Sequence, residues 1–117
     1  MQPENLFKLL SDVTRLRALI LIMREQELCV CELVYALEVP QPSISRNLAR
    51  LRQEGIVDSR RRGTWVHYRL HHALPQWAVS VLETVRDGVQ ETPLYQQDWQ
   101  RLQTMNDRPE RGGCCSV

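Results

Sequence analysis

A chain of 117 residues, 43% hydrophobic and 25% charged, is sized and composed for one small globular domain. No apolar run approaches the ~18 residues of a membrane span, and the N-terminus has no signal-peptide pattern, so a cytoplasmic protein is expected. The formal net charge is only +1, but it is unevenly placed: residues 41–69 hold seven arginines against Glu54 and Asp58, while both flanks are net acidic. A basic block between acidic flanks is the footprint of one DNA-facing surface.

In chain order, Leu6, Leu9 and Leu10, with Phe7, give Pro3 to Leu10 a helical apolar face. Ser11 or Asp12 caps a second helix running to about Glu25, with Leu16, Leu19, Ile20 and Met23 toward the core. Its arginines Arg15 and Arg17 point outward, as phosphate contacts or as plain surface charge, and Arg17 reads as plain surface charge. Val30, Leu33 and Leu37 predict a third helix over 27–37, the first of a helix-turn-helix, with Glu38-Val39-Pro40 as the turn. The stretch from Gln41 to Leu51 predicts the recognition helix. Ile44, Leu48 and Leu51 share its buried face. Gln41, Ser43, Arg46, Asn47 and Arg50, with Ser45 at the edge, offer amides, hydroxyls and guanidiniums to bases and phosphates.

Gly55 stops that helix and the period changes. Residues 56–60 and 64–70 are short β-rich runs with Arg61, Arg62 and Gly63 between them, a hairpin whose tip can reach DNA beside the recognition helix. The expected fold is mainly α with a small β-hairpin, a winged helix-turn-helix. His67 is taken as a strand residue rather than a metal ligand. Trp77, Ala78, Val81, Leu82 and Val85 form an apolar stripe after Pro75 that either completes the core or packs against a second copy. A homodimer is expected, because one recognition helix reads about half a turn of DNA and two-fold dimers read paired half-sites. Residues 1–90 are expected to be the DNA-binding and dimerisation domain. Residues 91–117 are expected to hold a weak helix and, from Asn106 on, a flexible tail.

The four cysteines stand as two close pairs, Cys29 with Cys31 and Cys114 with Cys115. In a cytoplasmic chain such pairs point to metal binding or redox chemistry rather than to a disulfide framework. Soft thiolates favour thiophilic ions over hard ones. If both residues were helical, their side chains would diverge by ~200°, so an ion gripping both would have to unwind the start of that helix.

Several blocks together resemble the ArsR/SmtB family of winged-helix metalloregulatory repressors, and within it the arsenite-responsive branch. They are Leu10-Ser11-Asp12-Val13-Thr14-Arg15-Leu16, Glu27-Leu28-Cys29-Val30-Cys31-Glu32-Leu33, Gln41-Pro42-Ser43-Ile44-Ser45-Arg46 and Gly63-Thr64-Trp65-Val66-His67-Tyr68-Arg69-Leu70. The resemblance spans about residues 5–85. It implies a homodimer that occupies the operator of an arsenic-resistance operon and leaves it when As(III) or Sb(III) binds Cys29 and Cys31. Two departures stand out: Asn47 replaces a usual histidine, and Val34 stands where a third cysteine often follows. Residues 75–90 contain no histidine, so the site of zinc-sensing members is not expected. Cys114 or Cys115 remains as a possible third ligand. The alternative is a thiol redox switch on the same scaffold. An enzyme is not expected: there is no Cys-x-x-Cys on a βαβ pattern, no Gly-rich phosphate loop and no acid/base cluster by the cysteines, so neither catalytic residues nor a catalytic cofactor are assigned.

Overall fold

The structure is a computed structural model that describes residues 1–106 and 108. Its elements are α1 (Pro3–Leu10), α2 (Val13–Glu25), β1 (Leu28–Cys29), α3 (Val30–Leu37), α4 (Gln41–Gln53), β2 (Val57–Arg62), β3 (Trp65–Leu70), α5 (Gln76–Gly88) and α6 (Pro93–Gln103). Asp12 caps α2, its carboxylate accepting the Arg15 backbone N–H at 3.0 Å and satisfying one of the helix's unbonded donors. Glu38 ends α3 in a left-handed conformation, φ +56°. Pro42 sits in the first turn of α4, where its missing N–H costs no helical bond. After α4 the chain needs a positive φ of +78°, which Gly55 takes without steric cost.

The expected hairpin is present as β2 and β3, paired from Val57↔Leu70 to Arg62↔Trp65. Gly63, at φ +64°, makes its turn. A third strand joins it. β1 pairs antiparallel with β3 through Leu28↔Tyr68 and Cys29↔His67, giving the sheet order β1-β3-β2. This corrects the helix expected over 27–37: Leu28 and Cys29 are extended, and α3 starts only at Val30. Gln26, at φ +74°, redirects the chain after α2 so that residues 28–29 meet the wing.

Ile44, Leu48 and Leu51 are fully buried, as their spacing requires. Ile44 and Leu48 pack with Ile22 of α2, Leu33 of α3 and Leu102 of α6. Leu51 packs on the other side with Leu6 and Leu9 of α1, Ile56 and Leu82 of α5. α4 is thereby clamped from both sides, with its polar face outward.

Arg17 is not surface charge. Its guanidinium donates twice to Asp98 of α6, at 2.9 and 2.7 Å, and once to the Leu37 carbonyl at the end of α3, at 2.9 Å. Asp98 is itself 1% exposed. The pair binds α2, α3 and α6 together, and the Arg17 guanidinium is raised above its ordinary pKa chiefly by the Asp98 hydrogen bond. Among the described residues no helix is long and apolar enough to cross a membrane.

Candidate functional site

On α4, Gln41, Ser45, Arg46 and Arg50 are exposed and Ser43 is half-buried. Arg50 has Glu54 at 3.9 Å, a loose surface pair. Asn47 is placed differently. It is half-buried, its Nδ2 donates to the Ser43 carbonyl at 3.0 Å, and its Oδ1 accepts from Arg15 at 3.3 Å. Arg15 also donates to the Leu9 carbonyl at 2.7 Å. The Asn47 amide therefore ties α1, α2 and α4 together and is not presented on the exposed face. On the wing, alternate residues point to opposite sides. Arg60 and Arg62 both reach Glu27, at 3.0 and 3.2 Å, while the exposed Arg61 lies between them on the other side.

Cys29 and Cys31 meet at the junction of wing and helix-turn-helix. Their Sγ atoms are 3.6 Å apart. The divergence expected for two helical residues does not arise, because Cys29 is the N-cap of α3, extended at φ −94° and ψ 169°. Its side chain turns back over the first helical turn, where Cys31 lies. No unwinding is needed to bring the sulfurs together. A capping box holds this geometry. The Cys29 N–H donates to Glu32 Oε1 at 2.9 Å, and the Cys29 sulfur faces the Glu32 backbone N–H. Glu32 is 3% exposed and is balanced by Arg108, which donates to it at 2.6 Å and to Glu25 at 3.2 Å. Trp99 also donates to Glu25, at 3.0 Å.

Burial pushes the Cys29 thiol up to about 12, outweighing the Glu32 backbone N–H, which lowers it. It is a neutral thiol at physiological pH. The folded state keeps this proton between pH 9.0 and about 12 whereas the unfolded chain loses it. The stabilisation is thus complete below 9.0 and is lost as pH rises through that window. Urea midpoints measured at pH 8 and 10.5 should fall more for the wild type than for Cys29→Ser. Equal falls would remove Cys29 from the alkaline response. Cys31 is disulfide-bonded, where a thiol was expected. Cys114 and Cys115 lie outside the described residues.

His67 is buried beside this site, paired across the sheet with Cys29, and its Nδ1 lies 3.5 Å from Glu27. A second cluster escaped the sequence reading: ligand atoms of Asp58, His71 and His72 lie within 4.8 Å of one another. Its sequence signal was the adjacent His71-His72 at the end of the wing. Arg69 occupies the same carboxylate at 3.0 Å. Burial alone would raise the Asp58 carboxyl, but Arg69 and His72 hold it below its ordinary value.

Residues 12–59 match the profile of the bacterial regulatory proteins of the arsR family. The arsenic resistance transcriptional regulator ArsR1 of Pseudomonas putida is 50% identical over 114 residues, 97% of this chain and 88% of that one. This chain belongs to the arsR family. The arsenical resistance operon repressor of Escherichia coli is 48% identical to this arsR-family chain over 81 residues, 69% of each. The crystal structure of the AntR antimony-specific transcriptional repressor superposes with a TM-score of 0.61 at 32% identity, covering 75% of this chain and 77% of that one. The fold is the winged helix-turn-helix of such repressors, and the family and these relatives are transcriptional regulators, not enzymes.

Proposed function

We propose that this chain is a cytoplasmic repressor that binds the operator of an arsenic-resistance operon as a homodimer and leaves it when As(III) or Sb(III) bridges Cys29 and Cys31. The observation that carries this reading is the 3.6 Å separation of the two sulfurs at the cap of α3. Relatives named for arsenic resistance and an antimony-specific repressor support the inducer class.

The chemistry balances without an external base. Once a thiol reductant has opened the Cys31 disulfide, arsenite, As(OH)3, takes two thiols. Two As–S bonds form, two As–O bonds break, and each hydroxyl leaves with a thiol proton as water. A neutral Cys29 thiol suits this exchange. The third position keeps its hydroxyl unless Cys114 or Cys115 displaces it. Bridging draws Cys29 off the Glu32 N–H, so it acts on the N-terminus of α3 and on β1 together. α3 packs on α4 through Leu33, Ile44 and Leu48, and β1 is bonded to the wing strand β3. One ion therefore bears on both DNA-facing elements. To act as an inducer it must bind the DNA-incompetent arrangement more tightly, by the coupling free energy.

The DNA surface proposed is Gln41, Ser43, Ser45, Arg46 and Arg50 of α4 with Arg61 and Arg62 of the wing; Asn47 contributes only by bracing α4 unless DNA draws its amide away from Arg15. Arg46→Ala should weaken specific operator binding by ~1–3 kcal/mol, and Arg61→Ala should weaken all DNA binding and lower the salt slope by ~1. Salt titrations on operator and random duplexes distinguish the two, and an unaltered slope for Arg61→Ala would take the wing tip out of the interface. For the dimer, α1 and α5 share one core cluster yet leave Phe7 56% and Trp77 38% exposed, apolar area that a second copy would bury.

The test is operator release, followed by fluorescence anisotropy, with the protein kept reduced by a phosphine, which does not compete for arsenic as a dithiol does. Arsenite should release the wild type and a chain truncated before Cys114 alike. A second reading, a thiol redox switch, is favoured by the disulfide at Cys31. Release by oxidant, with none by arsenite under reductant, would establish it in place of the first.

A further inference from the structure

At the base of the wing, Asp58 of β2 and the adjacent His71 and His72 after β3 bring together one carboxylate and two imidazoles. Their ligand atoms all lie within 4.8 Å of one another, and the two rings are already side by side, with centroids 4.8 Å apart. The backbone fixes this arrangement. Asp58 pairs with Arg69 across β2 and β3. The His71 N–H donates to the Ile56 carbonyl at 2.9 Å, and the Leu74 N–H donates to the His71 carbonyl at 3.2 Å. The turn that carries both histidines is therefore closed before Pro75 caps α5. We propose that Asp58, His71 and His72 form a site for a divalent cation of the zinc class. The site is independent of the metalloid reading, and the cysteines take no part in it.

The spacing fits an ion. Two ligand atoms bonded at ~2.0–2.2 Å in a tetrahedral shell stand ~3.4 Å apart. His72 Nδ1 and Asp58 Oδ2 are 3.5 Å apart, longer than the ~2.7–3.2 Å of an ordinary N–H···O bond. Bringing all three ligands to that spacing takes about 1 Å of side-chain movement, and His72, with its side chain 79% exposed, has room to make it. Arg69 does not block the carboxylate. It donates to Oδ1 at 3.0 Å, which leaves Oδ2 to the cation and fixes the carboxylate from outside, as partners of ligating groups commonly do. His71 gives up one bond. Its Nδ1 accepts the Ala73 N–H at 3.0 Å. Either Nδ1 turns to the ion, or Nε2 binds and leaves the ring proton on Nδ1. That bond is exposed, so water replaces it at little cost. The donor set selects the ion. Two imidazoles and one carboxylate suit zinc, cobalt or nickel, not a thiophilic metalloid, and supply too few oxygens for calcium. Three protein ligands with a solvent-facing side leave water in the fourth position. A cation held there fastens β2, through Asp58, to the turn that leads into α5.

The test titrates the full chain with cobalt(II), a coloured stand-in for zinc, and then displaces it with zinc. Cobalt held by imidazole and carboxylate shows d–d absorption without a thiolate-to-cobalt charge-transfer band, so the spectrum separates this site from the cysteines. One cobalt per chain should bind with the nitrogen and oxygen signature, be displaced by zinc, and be unchanged in Cys29→Ser. His72→Ala should weaken that binding by about 100-fold or more, since loss of an outer partner of a ligand already costs ~10–100-fold. The exposure of His72 keeps this variant folded. His71→Ala and Asp58→Asn should weaken binding to a similar degree. Zinc should raise the thermal midpoint of the wild type, as a ligand held only by the folded chain does, and should raise that of His72→Ala less. Cobalt bound only through thiolate, or equal affinity in the wild type and all three variants, would overturn the inference. Full affinity in Asp58→Asn would also overturn it, by reducing the site to a surface histidine pair.

Discussion

Cys29→Ser is expected to bind operator as well as the wild type and to lose its response to arsenite. The two effects separate because Cys29 has two jobs. As the N-cap of α3 it faces the Glu32 backbone N–H, and serine does this better than cysteine, being among the strongest N-cap residues. Folding and the DNA surface are therefore kept, and the urea midpoint at neutral pH should stay level or rise. As a ligand it offers soft sulfur, which the harder serine oxygen does not replace for a thiophilic ion. The arsenite midpoint for release should move up by about 100-fold, toward the upper end of ordinary allosteric couplings. Release at an unchanged midpoint would place the sensor elsewhere.

The second large effect is on stability. Asp98→Ala should lower it by about 3 kcal/mol, the low end of the range for removing one partner of a buried ion pair. Arg17 would lose both of its carboxylate bonds, with its side chain only 12% exposed and, among the described residues, the Leu37 carbonyl left to accept from it. Arg101, 3.3 Å from the same carboxylate, would lose a partner as well. With a urea slope of ~1–3 kcal/mol per molar for a small domain, the midpoint should fall by about 1–3 M. Arg17→Met combined with Asp98→Leu should cost less than Asp98→Ala alone, because it leaves no uncompensated buried charge. A single-variant shift below about 0.5 M would show that the pair does not hold α2 and α6 together.

These two predictions also mark where sequence alone stopped. α4 was legible because Ile44, Leu48 and Leu51 repeat on one helical face and all three are buried. The wing was legible because Gly55 and Gly63 punctuate alternating β-branched and aromatic residues. β1 was not, because two residues have no period, and its pairing with β3 lies about forty positions away in the chain. That omission changed the chemistry: treating Cys29 as helical separated the sulfurs, whereas its extended backbone brings them to 3.6 Å. Arg17 was misjudged for a related reason. Its local pattern is that of an outward arginine, and its partner Asp98 is 81 residues distant. Asn47 likewise looks exposed on the helical wheel, yet Arg15, 32 residues away, engages its amide. Periodicity reports which face a residue occupies, but not which distant polar group waits on that face.

The most direct test of the account is the set of atoms around bound arsenic. Arsenic-edge X-ray absorption on the reduced protein with one equivalent of arsenite should give two sulfur neighbours and one oxygen, unchanged by truncation before Cys114 and lost in Cys29→Ser. Three sulfurs falling to two on truncation would make the C-terminal cysteines part of the site, and an oxygen-only shell would contradict a metalloid held by Cys29 and Cys31.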